Sequence, residues 1–329
     1  MSLEEAHHLA MQCLLANGCD EDNARAVANR MIQAEGDRCY SHGLFRLPWY
    51  CSAVKSGRAN GKARPRLEQL APAVIRVDGD GGFAPLAQAL AHQPLVDCAR
   101  ENGIASLALV NMFHIAAMWP EVEQLAMDGL CGFAFTASYP YVAPAGGIKP
   151  VYGTNPMGFA WPRKDAPPLV FDQAASSMAR GEIQIHARDG KVVPETAGIG
   201  PNGEATTDPN VVLEGAQLGF GGYKGASLAL MVELLAGALI GEFLSIESEI
   251  DDDGQGGPPK GGEFMIAIDP ARHGDPDRFL AHGEKLFTAI LAQEGTRLPG
   301  SRRFENRMKT PETGIEIAES LHQTILELQ

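Results

Sequence analysis

A chain of 329 residues, 45% hydrophobic and 21% charged, has the composition of a folded soluble protein with a large core, which argues against disorder and against a membrane protein. Its formal net charge of -14 and pI near 5.1 oppose a nucleic-acid partner, because such binding needs clustered Lys and Arg, but leave room for a small anion held by a few local arginines. The six cysteines all fall within the first 131 residues without a CxxC pair, so they read as reduced thiols, with neither a disulfide framework nor zinc-type spacing. The start, Met-Ser-Leu-Glu-Glu-Ala-His-His, lacks the basic and apolar runs of a signal peptide, and the expected location is the cytoplasm.

Two helices are predicted over 4–16 and 21–36, joined by Asn17-Gly18-Cys19-Asp20 with Gly18 as the stop and Asp20 as the N-cap. The second delivers Ser41-His42-Gly43-Leu44-Phe45-Arg46, a hydroxyl, an imidazole and a fixed cation within six residues. A histidine titrating near 6.5 exchanges protons at neutral pH, and an arginine fork clamps a carboxylate through two hydrogen bonds. The stretch therefore reads as an acid-base corner for a small carboxylic acid; the plain alternative is that both cations dress a helix end. Leu47-Pro48-Trp49-Tyr50 reads as an extended turn, and residues 55–72 as a basic surface loop.

Ala73 to Val77 and Ile104 to Val110 read as strands around a helix over 84–102, a βαβ-like unit. The turn Asp78-Gly79-Asp80-Gly81-Gly82 lacks the EF-hand ligand series and the GxGxxG of a Rossmann cofactor site, so it is taken as structural. His114-Ile115-Ala116-Ala117-Met118 follows the second strand, where small residues and a helix start suit a phosphate or carboxylate; the alternative is that His114 caps or packs. Strands are expected at Cys131 to Ala137, before Ala160 and at Leu169 to Phe171. Thr154, in the corner Gly153-Thr154-Asn155-Pro156, is a hydroxyl donor for a substrate or an ordinary turn residue.

Asp172 is a partner for a ribose or nicotinamide amide, or simply the N-cap of the next helix. Residues 186–210 read as a surface excursion. Gly221-Gly222-Tyr223-Lys224-Gly225 then opens a buried core helix over 226–240, too short to span a bilayer, with an anion cradle at its start that does not match a P-loop. Asp251-Asp252-Asp253 belongs to a solvated loop. A strand at 264–268, a helix over 276–294 and a last amphipathic helix over 312–327 complete the chain, and Arg302-Arg303 after a Pro-Gly turn suit a phosphate such as the 2′-phosphate of NADP.

In order and spacing, Ser41-His42-Gly43 with Arg46, Gly153-Thr154-Asn155-Pro156, Asp172 to Gly181 and Gly221 to Gly225 resemble the malate/L-lactate dehydrogenase family of non-Rossmann oxidoreductases, over nearly the whole chain. His114 to Pro120, Gly181-Glu182-Ile183-Gln184-Ile185 and Arg297-Leu298-Pro299-Gly300 with Arg302-Arg303 are most similar to its delta-1-piperideine-2-carboxylate/delta-1-pyrroline-2-carboxylate reductases. The resemblance implies an α/β (α+β), family-specific fold, with helical N- and C-terminal parts (1–110 and 275–329) packed with a mixed-sheet cofactor domain (111–274), and a homodimer. It further implies reduction of a cyclic imino acid with NADPH, NADH being possible, or of a 2-oxo acid of the malate, lactate or keto-gulonate type; a catalytically silent NADP-binding protein is the alternative from another class. No metal or membrane is implied.

By that resemblance His42 is the proton donor, Ser41 assists it, and Arg46 and Thr154, with Arg180 and Gly181, contact the substrate. His114, Ile115, Ala116, Ala117, Met118, Asp172, Gln173, Ala174, Tyr223, Lys224, Arg297, Leu298, Pro299, Gly300, Ser301, Arg302 and Arg303 line the cofactor. Where these reductases carry an aspartate that orients the histidine, this chain has Glu182, one methylene longer.

Overall fold

The computed structural model describes residues 1–114, 117–251, 258–275 and 278–329. α1 (Leu3–Ala16) starts at a capping box between Ser2 and Glu5, and α2 (Glu21–Gly36) at Asp20, whose carboxylate accepts the Asn23 N–H. Gly18, at φ +108°, makes the reversal between them. Two 3-10 turns, Tyr40–His42 and Leu44–Arg46, then lead into α3 (Leu47–Lys55). The extended turn expected at 47–50 is thus the first turn of a helix, where proline's missing N–H would have found no partner anyway. Leu9, Leu14, Val27, Met31, Leu44 and Leu47 fuse these helices into one core.

Next come β1 (Arg66–Ala71), β2 (Val74–Asp78), α4 (Ala84–Asn102), β3 (Ile104–Phe113), α5 (Trp119–Met127), β4 (Cys131–Thr136), β5 (Met157–Trp161) and β6 (Leu169–Gln173). The basic loop expected over 55–72 therefore ends in a strand; β1 is an edge strand exposed along its whole length, so it shows none of the alternation by which strands are read. After α6 (Arg180–Arg188) the expected surface excursion carries β7 (Gly198–Ile199), α7 (Pro209–Glu214) and β8 (Ala216–Gln217), with β7 and β8 paired. Then follow α8 (Tyr223–Glu233), a π turn (Leu234–Ala238), α9 (Ser245–Asp251), β9 (Lys260–Ile268), α10 (Phe279–Leu291), α11 (Ser301–Thr313) and α12 (Glu319–Leu326).

Seven strands form one mixed sheet in the order β1-β2-β3-β9-β4-β5-β6. β2 and β3 are parallel, joined by α4 as parallel pairing requires, and the other neighbours are antiparallel. Because side chains alternate along a strand, Leu107, Leu109, Ala134, Ala160, Val170 and Met265 point to the face covered by α4 and α5. Ala108, Val110, Phe135 and Phe264 point to the other, under Val232, Ala236 and Ile240. Residue 110 falls inside β3, so the sheet takes strands from both sides of that expected boundary.

Four helical segments differ from expectation. The segment over 226–240 is buried on one side only, with Leu230, Leu234 and Leu239 exposed. α10 and α12 are shorter than the predicted stretches, and residues 276–277 lie outside the described ones. α11 is unforeseen, because Pro299-Gly300 before it and Pro311 within it break the helical pattern; Gly300, at φ +85°, supplies its start.

Candidate active site

The corner is compact. Ser41 Oγ lies 3.0 Å from His42 Nδ1, and Arg46 Nε donates to the Ser41 carbonyl at 2.6 Å. The Arg46 guanidinium stacks on Trp49, 4.3 Å from the ring centre. Arg46 is only 8% exposed, and burial pushes its pKa down to about 10. Among the described residues no carboxylate pairs with it, an uncommon condition for a buried cation. A Cβ on Gly181, in the first turn of α6, would lie 3.5 Å from Arg46 Nη2 and 3.8 Å from Ser41 Cβ, so α6 begins against this corner.

Behind the corner stands Trp119, which the sequence reading leaves without a role. Its ring meets His42 edge-on at 6.2 Å, and its Nε1–H donates to Asp37 at 3.0 Å. Arg307 of α11 clamps the same Asp37 through two 2.7 Å hydrogen bonds and also forks onto Glu123. These two carboxylates hold the Arg307 guanidinium firmly in its charged form. Arg303 lies over the Trp119 ring, 5.3 Å from its centre, and donates to the Val170 carbonyl at 3.0 Å.

His114 directly follows β3; Ile115 and Ala116 lie outside the described residues. Its Nε2 is 3.2 Å from Glu263 Oε2 and 3.0 Å from the Gln88 amide nitrogen, which donates to Glu263 at 2.7 Å. Arg30 reaches Gln88 Oε1 at 3.1 Å and Glu121 at 3.2 Å, and so supplies the cation of this buried cluster. Burial raises the Glu121 carboxyl. His114, Glu121 and Glu263 present ligand-type atoms within 4.8 Å of one another, and Arg30 pairs with the Glu121 carboxylate among them. At the other end of this segment Asp172 Oδ2 accepts the Met118 and Trp119 N–H groups at 2.7 and 3.2 Å. Asp172 therefore caps α5 rather than the helix after it, and burial pushes it up to about 6. Ala117 and Met118 are buried, Gln173 is exposed, and Ala174 is half-buried.

Thr154 is held by Ser138, whose Oγ accepts its N–H at 3.0 Å and lies 3.2 Å from its hydroxyl. The turn around it hangs on buried Glu233, which accepts from Gly153 N at 3.2 Å, Asn155 Nδ2 at 2.7 Å and Ser245 N at 2.9 Å. Arg180 stacks on Tyr141 at 4.2 Å and donates to the Leu213 carbonyl at 3.1 Å. Glu182 projects from α6 with an exposed side chain whose carboxylate makes no hydrogen bond or ion pair among the described residues, so no bond joins it to His42 here.

The start of α8 is open. Gly221 and Gly222 take φ +59° and +66°, Gly222 offers no capping side chain, and the first-turn N–H groups of Tyr223 and Lys224 have no partner among the described residues. With the exposed Lys224 ammonium, this donor set fits the diphosphate of a nicotinamide dinucleotide. In the last candidate segment Leu298 is buried, Ser301 Oγ donates to the Leu298 carbonyl at 2.7 Å, and a Cβ on Gly300 would stand 2.8 Å from the Val170 carbonyl. Arg297, Pro299 and Arg302 are exposed; Arg303 is engaged as described. The structure thus brings Ser41, His42, Arg46 and Gly181 together. It adds Trp119, Asp37, Arg307, Ser138 and Glu233, whose only sequence signal is Trp119's place directly after the 114–118 motif.

A sequence profile of malate/L-lactate dehydrogenase matches residues 1–326, and the chain belongs to that family of nicotinamide-dependent oxidoreductases. It is 46% identical to the Δ1-pyrroline-2-carboxylate/Δ1-piperideine-2-carboxylate reductase of Pseudomonas aeruginosa, an alignment covering 100% of this chain and 98% of the relative. The Δ1-pyrroline-2-carboxylate reductase 1 of Burkholderia ambifaria is 44% identical, with 100% and 97% covered. The crystal structure of Δ1-piperideine-2-carboxylate reductase from Pseudomonas syringae pv. tomato matches with a TM-score of 0.95 and 37% identity, covering 100% of this chain and 99% of that one. The expected family-specific mixed α/β fold is therefore the observed one.

Proposed function

We propose that this protein reduces the cyclic imino acids Δ1-piperideine-2-carboxylate and Δ1-pyrroline-2-carboxylate to L-pipecolate and L-proline, using NADPH. The carrying observation is Arg46: a nearly buried guanidinium, free of any described carboxylate, one 3-10 turn from His42. Such a cation is stabilised by an anion that arrives with the substrate, and a 2-carboxylate matches its fork. The names of the relatives support the imine in place of a 2-oxo acid.

The bound cofactor supplies the hydride, which the imine carbon accepts. Arg46 grips the carboxylate, and Thr154, Arg180 and Gly181 complete the pocket that turns the C=N carbon toward the donor. His42, protonated, gives its proton to the ring nitrogen, so one hydride and one proton saturate the C=N bond. Ser41, 3.0 Å from Nδ1, orients the imidazole. Glu182 is assigned as the acidic partner of the imidazolium, since its neighbour Gly181 already lies against Ser41 and Arg46. His114 to Met118, Asp172 to Ala174, Tyr223-Lys224 and Arg297 to Arg303 are assigned to the cofactor, with Arg302 at the 2′-phosphate. The exposed Leu230, Leu234 and Leu239 suit a homodimer contact, and the expected compartment is the cytoplasm. No helix among the described residues is long and apolar enough to cross a membrane.

Oxidation of NADPH and NADH, followed with both cyclic imines, pyruvate and oxaloacetate, tests this reading. Cyclic imines with NADPH are expected to react fastest, and His42→Ala to lower turnover far more than NADPH affinity. Equal rates with the oxo acids overturn the substrate assignment, and near-full activity of His42→Ala removes it from the chemistry.

A further inference from the structure

Glu35, on the last turn of α2, is a buried carboxyl that the proposed chemistry does not use; it is 1% exposed. Its Oε1 accepts the Leu44 N–H at 2.7 Å, while Oε2 has no hydrogen-bond partner among the described residues. Burial pushes its pKa up to about 7. A Cβ built on Gly43 would overlap Oε1 and fall 2.5 Å from Cδ, so the carboxyl occupies the space that any side chain at position 43 would need.

The location gives this contact its consequence. Gly43 follows His42, and its carbonyl accepts the Arg46 N–H at 2.9 Å. The two 3-10 turns that carry the proposed proton donor and the proposed carboxylate grip meet at Gly43, and this junction is tied back to α2 by the Glu35–Leu44 bond.

We propose that Glu35 is a positioning residue of the active site: its carboxyl, seated in the glycine-sized gap at position 43 and bonded to the Leu44 N–H, sets His42 relative to Arg46. It touches neither substrate nor cofactor. The inference rests on the roles given above to His42 and Arg46.

The test measures kcat, KM for the cyclic imine, KM for NADPH and the thermal midpoint in Glu35→Gln, Glu35→Asp, Glu35→Ala, Gly43→Ala and the double variant Glu35→Ala/Gly43→Ala. Glutamine keeps an oxygen for the Leu44 N–H and is expected to hold kcat within threefold. Aspartate and alanine cannot reach it and are expected to lower kcat at least tenfold with KM for NADPH unchanged. Gly43→Ala displaces the carboxyl, so the losses of Glu35→Ala and Gly43→Ala should combine less than multiplicatively in the double variant. Multiplying losses in the double variant, or wild-type kcat in Glu35→Asp, overturns the proposal; the aspartate variant decides it if the alanine variants do not fold. If His42→Ala retains activity the proton-donor reading fails by itself, whereas coupling of positions 35 and 43 is read independently in the thermal midpoint.

Discussion

The Ser41–Arg46 corner and the start of α8 both offer positive charge to an anion, but they are built in opposite ways. Arg46 is buried, stacked on Trp49 and tied to the Ser41 carbonyl, with α2 and α6 packed against its turn. Lys224 is exposed on a helix start flanked by glycines, and nothing among the described residues braces it. A buried cation without a counter-charge is costly unless a ligand completes it, so the first region is restricted to one geometry and one kind of anion. An exposed ammonium is already hydrated, so the second contributes modest, salt-screened attraction and relies on its backbone N–H groups for direction. On the proposed function, specificity for the substrate belongs to the rigid region, and adaptable holding of a larger ligand to the open one.

The largest effect is expected where the rigid region is broken. If Arg46 grips the substrate as proposed, Arg46→Leu removes two charge-assisted hydrogen bonds to its carboxylate, worth roughly 1.5–3 kcal/mol each, and should lower kcat/KM at least about a hundredfold. It also removes a buried cation, so the thermal midpoint should hold or rise slightly. Steady-state kinetics beside a melting curve checks both; a protein that loses stability and keeps kcat/KM would make Arg46 a structural residue and erase the contrast between the two regions.

The sequence shows the two regions to different depths. His42 and Arg46 are legible as a pair because they are only four residues apart, and the glycines before α8 because their role is local. The helix cap at Asp20 follows from spacing as well. What braces the corner is invisible, since it depends on packing between distant segments. Asp37 and Arg307 are separated by 270 residues, and Arg307 lies on α11, a helix its prolines conceal. Asp172 reads as a cap for the helix ahead of it, yet it caps α5, 54 residues back, because β6 ends beside that helix start. Arg303 reads as a phosphate ligand, and the structure adds a second engagement, with the Trp119 ring and the Val170 carbonyl. Local chemistry nominates residues, and long-range packing decides which of them stay available.

An intermediate effect is expected from loosening the brace. Trp119→Phe keeps a ring beside His42 and loses the Nε1–H bond to buried Asp37, about 1 kcal/mol of stability. Arg307 still pairs with Asp37, so the fold should survive with a thermal midpoint a few degrees lower. Turnover should fall several-fold with KM for NADPH unchanged. A change confined to NADPH binding would move Trp119 from the His42 side of the site to the cofactor side.

The smallest effect is expected at the open region. Lys224→Ala removes an exposed charge but leaves the Tyr223 and Lys224 backbone N–H groups in place, because Gly221 and Gly222, not the side chain, shape the helix start. KM for NADPH should rise about three- to tenfold at low ionic strength, with kcat unchanged and the difference shrinking as salt is added, as expected for a screened surface charge. Titrating sodium chloride in wild type and variant separates the two contributions: the part of the affinity that salt removes belongs to the ammonium, and the part that persists belongs to the backbone cradle. A salt-independent loss, or a fall in kcat, would mean that Lys224 acts at close quarters on the reacting centre, and that the start of α8 holds its ligand in a single geometry just like the corner around Arg46.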